Sequence, residues 1–279
     1  MYDSHAHIIS GDQAGFPPLN ADDPAVAAKL GAPFTAEKLL AAMDAEGVDK
    51  ALVVQRSQFY GFDNSYVIAA SRQSRGRLKA VCSIDATDPG CGDHVTAVHA
   101  QGAAGVRLMA PISAKDFDWL DGPNAGHFWS ASADAGLPVC VHFFQWNRAE
   151  GLQRLQRQLD RYAIADVVID HLTNAPVETV QSCGIDDSLR QMGDRGNISL
   201  KFTAIPLNGL AERGIDAGAV LQAYIGVFGA DRLLWGSDIT QSRGSYGEMV
   251  ASGRAAVASF PGEVQQQLLH GNTERIYKG

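Results

Sequence analysis

The chain has 279 residues, 46% hydrophobic and 19% charged, enough for two ordinary domains or for one α/β barrel with a sizeable core. A net charge of −8 at pH 7 and a pI of about 5.4 disfavour nucleic acid and anionic membrane as main partners, because both reward basic surfaces. The longest largely apolar stretch, "AVLQAYIGVFGA", is far shorter than the roughly 20 residues of a membrane span.

Short apolar runs rich in β-branched residues recur along the chain and predict strands at 2–8, 50–55, 78–85, 104–109, 137–143, 166–172, 198–205 and 233–238. In the first, "YDSHAHI", alternation along an extended strand places Asp3, His5 and His7 on one face. The stretch 10–34 is rich in Pro, Gly and Asp and is expected to be an extended loop after the first strand, of the kind that in barrels often covers the mouth. Helix-like stretches follow, such as 35–47, with Thr35 as N-cap and Gly47 as C-cap, and 150–163. Eight strands alternating with helices imply a single-domain (β/α)₈ barrel. An open doubly wound sheet is the rival, but no GxGxxG follows the first strand.

The polar residues sort in a way a purely structural chain would not require. Gln55, Asp85, Arg107, His142, His171 and Asp238 all fall at or near the C-terminal ends of predicted strands, the end where barrel active sites are built. The four cysteines, Cys82, Cys91, Cys140 and Cys183, have no CxxC spacing and are expected to be reduced thiols in a cytoplasmic protein. No basic segment followed by an apolar run opens the chain, so no signal peptide is expected. His94, His99, His127 and His270 lie in helix-like segments and are expected to be surface or packing residues. Asn272 is expected to stabilise the closing turn near strand 8.

The HxH pair on strand 1, a His ending strand 5, a His ending strand 6 and an Asp ending strand 8 together resemble the amidohydrolase superfamily. The likeness is nearer to its amidohydrolase-2 branch, which includes sugar lactonases and 2-pyrone-4,6-dicarboxylate lactonase. It runs through "VVQRSQFYGFDNSY", "GVRLMAP", "VIDHLTNAP", "LLWGSDIT" and "GNTERIY". The resemblance implies hydrolysis of an activated carbonyl. His5, His7, His142 and Asp238 would hold one divalent metal, zinc first, or in a metal-free site the three histidines would polarise the carbonyl. His142 and His171 would act on the carbonyl or the water, and Asp238 would be the general base.

Two departures from the wider pattern stand out. Strand 4 offers Arg107 where dinuclear members carry a bridging lysine or glutamate, so two bridged metals are not expected. Strand 6 continues as "DHLTNAP", with Thr173 and Asn174 where the lactonases usually show a glycine.

The chemistry of ester hydrolysis asks for the same parts independently: a base near water, and donors or a Lewis acid aimed at the developing oxyanion. Together with the resemblance to the lactonases, this makes the expected reaction the opening of a lactone of a small organic or sugar acid. Arg107 is a candidate for bidentate contact with a substrate carboxylate, and Gln55, Tyr60, Lys201 and Trp146 are further substrate-contact candidates, with Arg243 beside them. The expected partners are a small lactone or carboxylate and further copies of the chain. The rival enzyme class is a metal-dependent non-oxidative decarboxylase of an aromatic or muconic acid, and a third reading is a ligand-binding barrel without chemistry.

Overall fold

The computed structural model describes residues 1–111 and 114–278. Eight parallel strands form one sheet in the order β1 to β8: Tyr2–Ala6, Lys50–Val54, Leu78–Ser83, Gly105–Met109, Val139–His142, Val167–Ile169, Ile198–Thr203 and Leu233–Gly236. Each lies inside a predicted segment, and helices surround the sheet to give a nearly closed (β/α)₈ barrel. The strands read as continuous Val- and Ile-rich runs because both of their faces are buried, one against the helices and one inside the cylinder.

The seam between β8 and β1 is made by side-chain contacts, a backbone hydrogen bond just beyond β8 and a glycine. Gly236 lies so close to β1 that a Cβ there would sit 2.7 Å from His5 Cβ and 3.0 Å from the His5 nitrogen. Asp3 Oδ1 accepts from the backbone nitrogens of His5 at 3.0 Å and Ser237 at 2.8 Å, while the Asp238 nitrogen donates to the His5 carbonyl at 2.6 Å.

The pairing of β1 with β2 slips between Asp3 and Ala6: Asp3 lies opposite Ala51 and Ala6 opposite Val53, so three steps on one strand match two on the other. That extra residue is a β-bulge. It overturns the expectation that Asp3, His5 and His7 share a face. Asp3 turns its carboxylate to the Tyr246 hydroxyl of the outer helix Tyr246–Val257, at 3.2 Å, while His5 and His7 stay together at the mouth.

The floor of the cylinder is apolar and partly borrowed. Tyr2, Leu52, Val54, Val81, Cys140, Val168 and Leu234 form an inner layer with Ile276 and Tyr277 of the C-terminal segment. Gly105 must lack a side chain here, since a Cβ would fall 2.9 Å from the Tyr277 ring. Asn272 donates to the carbonyls of Ala230 and Leu233, both at 2.7 Å, tying this segment to the approach to β8 as expected.

The stretch 10–34 is not wholly a loop. It contains helix α1, Pro24–Leu30, with Pro at its start and Asp23 as N-cap accepting from the Ala25 and Val26 nitrogens. Helix α2, Ala36–Glu46, begins at Thr35 and ends at Gly47 with φ 65°, the caps the sequence specifies. The predicted helix at 150–163 spans Arg148–Arg161. Among the described residues no helix is long and apolar enough to cross a membrane.

Candidate active site

Two histidines of β1 come together as the HxH spacing predicts. The His7 Nδ1 donates to the Val54 carbonyl at 2.8 Å, and a carbonyl only accepts, so the neutral ring presents a lone pair at Nε2. His5 Nδ1 lies 3.1 Å from Asp170 Oδ1 and likewise leaves its Nε2 free. The two Nε2 atoms are 3.2 Å apart, and Asp238 Oδ1 lies 3.6 Å from the first and 3.5 Å from the second. Three acceptors thus face one point with no donor among them, and Asp238 Oδ1 is a buried oxygen without a hydrogen bond. Such a set suits a divalent cation, with second partners already fixing each imidazole. Burial pushes the pKa of His5 well down and that of His7 down, which keeps both rings neutral and ligand-ready.

A second acidic group lies below. Asp170 is fully buried and surrounded by donors: Oδ1 is 3.1 Å from His5, 3.0 Å from the Cys140 thiol and 3.2 Å from Lys201 Nζ, and Oδ2 takes Arg107 Nε and Nη2 at 2.9 Å. Burial pushes the Asp170 carboxyl up, but Lys201, His5 and Arg107 outweigh it and hold it well below the usual carboxylate range. Burial, with Asp170 beside it, pushes the Cys140 thiol up to about 12, so the sulfur remains a protonated donor. His5, Asp170 and His171 also approach one another closely. Lys201 and Arg107 already supply the positive charge there, which makes that group a poor cation site.

The turn leaving β6 is unusual backbone. His171, Leu172, Thr173 and Asn174 have φ of 54°, 47°, 63° and 50°, four successive non-glycine residues in the left-handed region. For Thr173, which is β-branched, this is a true outlier. Each such residue costs on the order of 1–3 kcal/mol and persists only where its surroundings over-determine it. Here the Thr173 nitrogen donates to the Asp170 carbonyl at 2.9 Å, Arg148 Nε donates to Thr173 Oγ1 at 2.7 Å, and Asn174 Nδ2 donates to the Phe143 carbonyl at 2.7 Å. His171 Nδ1 is fixed 2.6 Å from Thr203 Oγ1, and the ring sits 5.0 Å from that of His5 and 5.1 Å from that of His142.

Asp238 ends β8 at φ 55°, with Thr240 at φ 74° beyond it. Its Oδ2 accepts from Ser242 Oγ at 2.8 Å, leaving Oδ1 for the histidines. Burial raises the Asp238 pKa, but the imidazoles around it, His7 first and then His171 and His5, more than offset this, so the carboxyl stays ionised.

These groups open into a cavity of about 480 Å³ whose wall includes His7, His142, His171, Asp238, Arg107 and Arg56 together with Met109, Phe144, Leu172 and Pro206. The structure gathers His5, His7 and Asp238 within metal-ligand reach of one another. His142 stands apart from that trio, its Nδ1 3.8 Å from Asp170 Oδ2 and without a hydrogen bond.

Other candidates go elsewhere. Gln55 is fully buried and donates to the Asp63 carbonyl. The Tyr60 hydroxyl accepts from the Ser10 nitrogen at 2.9 Å. Lys201 is an internal partner of Asp170. Trp146 is 59% exposed and stacks on Phe144 at 5.8 Å. Asp85 caps its own loop through Thr87, and Arg243 points into solvent near Glu212. Sequence reasoning missed Arg56, Arg148 and Thr203. The signal for Arg56 was its place one residue after the β2 run, beside the Gln55 that was chosen instead.

An eight-stranded parallel barrel with paired histidines at the end of β1 and an aspartate just beyond β8 defines an enzyme-type site of the kind built at barrel mouths. The amidohydrolase family profile (Amidohydro_2) matches residues 2–279, and the chain belongs to that family. No curated protein matches its sequence.

Solved structures of the same fold include a candidate 2-pyrone-4,6-dicarboxylic acid hydrolase from Pseudomonas putida, 22% identical, covering 99% of this chain and 96% of its own, TM-score 0.76. A second candidate of that description, from Acinetobacter baumannii with citric acid bound, is 21% identical over 100% and 99% of the two chains, TM-score 0.73. An amidohydrolase from Burkholderia multivorans with bound zinc is 18% identical over 99% and 98%, TM-score 0.76. At these identities the likeness establishes the fold.

Proposed function

We propose that the protein hydrolyses a lactone of a small organic acid, with Asp238 as the base. The observation that carries this is the Asp238 Oδ1 atom: ionised, buried, without a hydrogen bond, and turned to His5 and His7 at the cavity wall. A water in the cavity can donate to that oxygen, which fixes its lone pair toward a carbonyl bound against His142 and His171. As the water oxygen bonds to the carbonyl carbon, Asp238 takes its proton. When the ring C–O bond breaks, the proton passes from Asp238 to the leaving alkoxide. The low proton affinity of Asp238 makes this second transfer downhill. His171, held by Thr203, is placed to donate to the developing oxyanion from Nε2.

The groups that would hold a divalent metal are His5 Nε2, His7 Nε2 and Asp238 Oδ1; bound there, it would supply Lewis-acid polarisation of the carbonyl and a more acidic water. The bound zinc of the Burkholderia multivorans protein supports zinc as the first metal to test.

The test is a panel of lactones followed with a pH indicator, run beside aromatic acids monitored for carbon dioxide. Proton release that follows ring opening, abolished in Asp238→Asn, supports hydrolysis. Carbon dioxide release without lactone opening would replace it with decarboxylation, the other reaction that the family resemblance brings.

A further inference from the structure

Three arginines are buried among the described residues: Arg56, Arg107 and Arg148. Two of them meet carboxylates, Arg107 on Asp170 and Arg148 on Asp186. Arg56 meets only neutral acceptors. Its Nη1 donates to Thr240 Oγ1 at 2.6 Å and its Nη2 to Gln241 Oε1 at 2.8 Å. Its Nε is buried with no partner, and its flat face lies over the Phe59 ring at 4.9 Å. The residue is only 4% exposed. The ionised Asp238 acts on it only across space, with no carboxylate in contact; a guanidinium taken out of water without a contacting counter-charge is costly, and protein interiors rarely hold one idle.

Its position gives the cost a use. Arg56 lines the catalytic cavity and also a second hollow, of about 590 Å³, that lies under α1 and shares Arg56, Ser57, Gln58 and Met109 with the first. Lys29 of α1 lines that hollow too and donates to the Thr240 carbonyl, so two cations flank the turn beyond β8. The one carboxylate on the far wall, Asp23, is occupied as the α1 N-cap. Arg107, by contrast, spends Nε and Nη2 on Asp170 and cannot turn that two-nitrogen edge to a second carboxylate.

We propose that Arg56, rather than Arg107, is the residue that reads charge on the bound molecule, by pairing with a carboxylate at the wall shared by the two hollows. This deepens the lactone reading by naming the substrate as a carboxylated one, and rests on that reading only for which end of the molecule reacts. Its fork would engage one carboxylate oxygen or both, with Phe59 fixing the plane. This arginine stands two residues beyond β2 and immediately before the short helix Ser57–Tyr60, so it is held between two regular elements rather than on a free loop.

The test is calorimetric titration of the metal-loaded protein with isophthalate and with its neutral diamide, neither of which needs to be turned over. The wild type is expected to prefer the diacid. Arg56→Gln is expected to weaken the diacid about 10- to 100-fold, the worth of a charge-assisted pair, while leaving the diamide unchanged. Arg56→Lys, which keeps the charge and serves if Arg56→Gln fails to fold, is expected to fall between them.

Three results would overturn the proposal: equal weakening of both probes, which would make Arg56 a mere tether for Thr240 and Gln241; unchanged diacid binding in Arg56→Gln; or a wild type that does not bind the diacid or does not prefer it. Because binding is read without catalysis, the selective loss can appear in a protein that opens no lactone. That result would sink the hydrolase reading and keep this one.

Discussion

The exits of β6 and β8 are built from the same parts and treat them differently. A buried aspartate stands just beyond each strand, and left-handed backbone without glycine marks each exit. At β6, Asp170 is saturated by Arg107, Lys201, Cys140 and His5, and the turn after it is pinned by Arg148, Asn174 and Thr203. At β8, Asp238 has one oxygen tied to Ser242 and the other held open. A carboxylate whose every lone pair is taken is scaffolding, whatever its charge. One that keeps a lone pair turned to a cavity has chemistry in reserve.

The comparison can be broken most sharply at its two aspartates. Asp238→Asn should lower lactone opening by about 10³-fold or more, the upper reach of a lost general base, while the melting temperature stays close to wild type. Asp170→Asn should do the opposite, costing about 3–5 kcal/mol because Arg107 and Lys201 are left buried without their partner. Thermal melts of the two variants beside their turnover rates check both.

Acid should act next in size. In chelator-treated protein, His5, His7, His142 and His171 all have pKa values lowered by burial, so below about 6.5 the unfolded chain binds protons that the folded one refuses. Stability present above that pH should fall as it drops, by about 1 kcal/mol per pH unit for each histidine still neutral in the fold. A melting temperature flat between pH 7 and 5 would contradict this.

At the turns themselves the effects are smaller. Thr173→Val keeps the shape but strands Arg148 Nε in the interior and should cost about 1–3 kcal/mol. Thr173→Gly loses the same bond yet relieves the positive φ, so it should be the milder change in denaturant midpoint. Ser242→Ala is expected to be mildest, about 1 kcal/mol or less, with turnover reduced only a few-fold.

Much of the frame was legible because parallel strands are buried on both faces and so announce themselves as apolar runs, and because Thr35 and Gly47 are capping residues with a mechanism. The HxH pair and Asp238 were legible for a different reason, since few structural needs put ionisable groups at strand ends. What stayed hidden was geometry with no local signature. The bulge that turns Asp3 away from His5 arises from pairing with β2, and nothing in "YDSHAHI" reports it. Lys201 and Gln55 looked like mouth residues, but the barrel draws one to Asp170 and the other to Asp63. Arg56 was passed over because its burial without a contacting carboxylate is a fact of three dimensions.

The inner floor of the cylinder has a consequence for how the molecule is made. Tyr2 and Tyr277 share one apolar layer although they are separated by nearly the whole polypeptide. A ribosome delivering this chain releases the first strand long before the segment that seats beneath it. Until that late arrival, and until Gly236 lets the last strand settle on the first, the nascent sheet has two unpaired edges and an unfilled base. Seven-eighths of a barrel is therefore a sticky intermediate, and closure must come as a single late event rather than strand by strand.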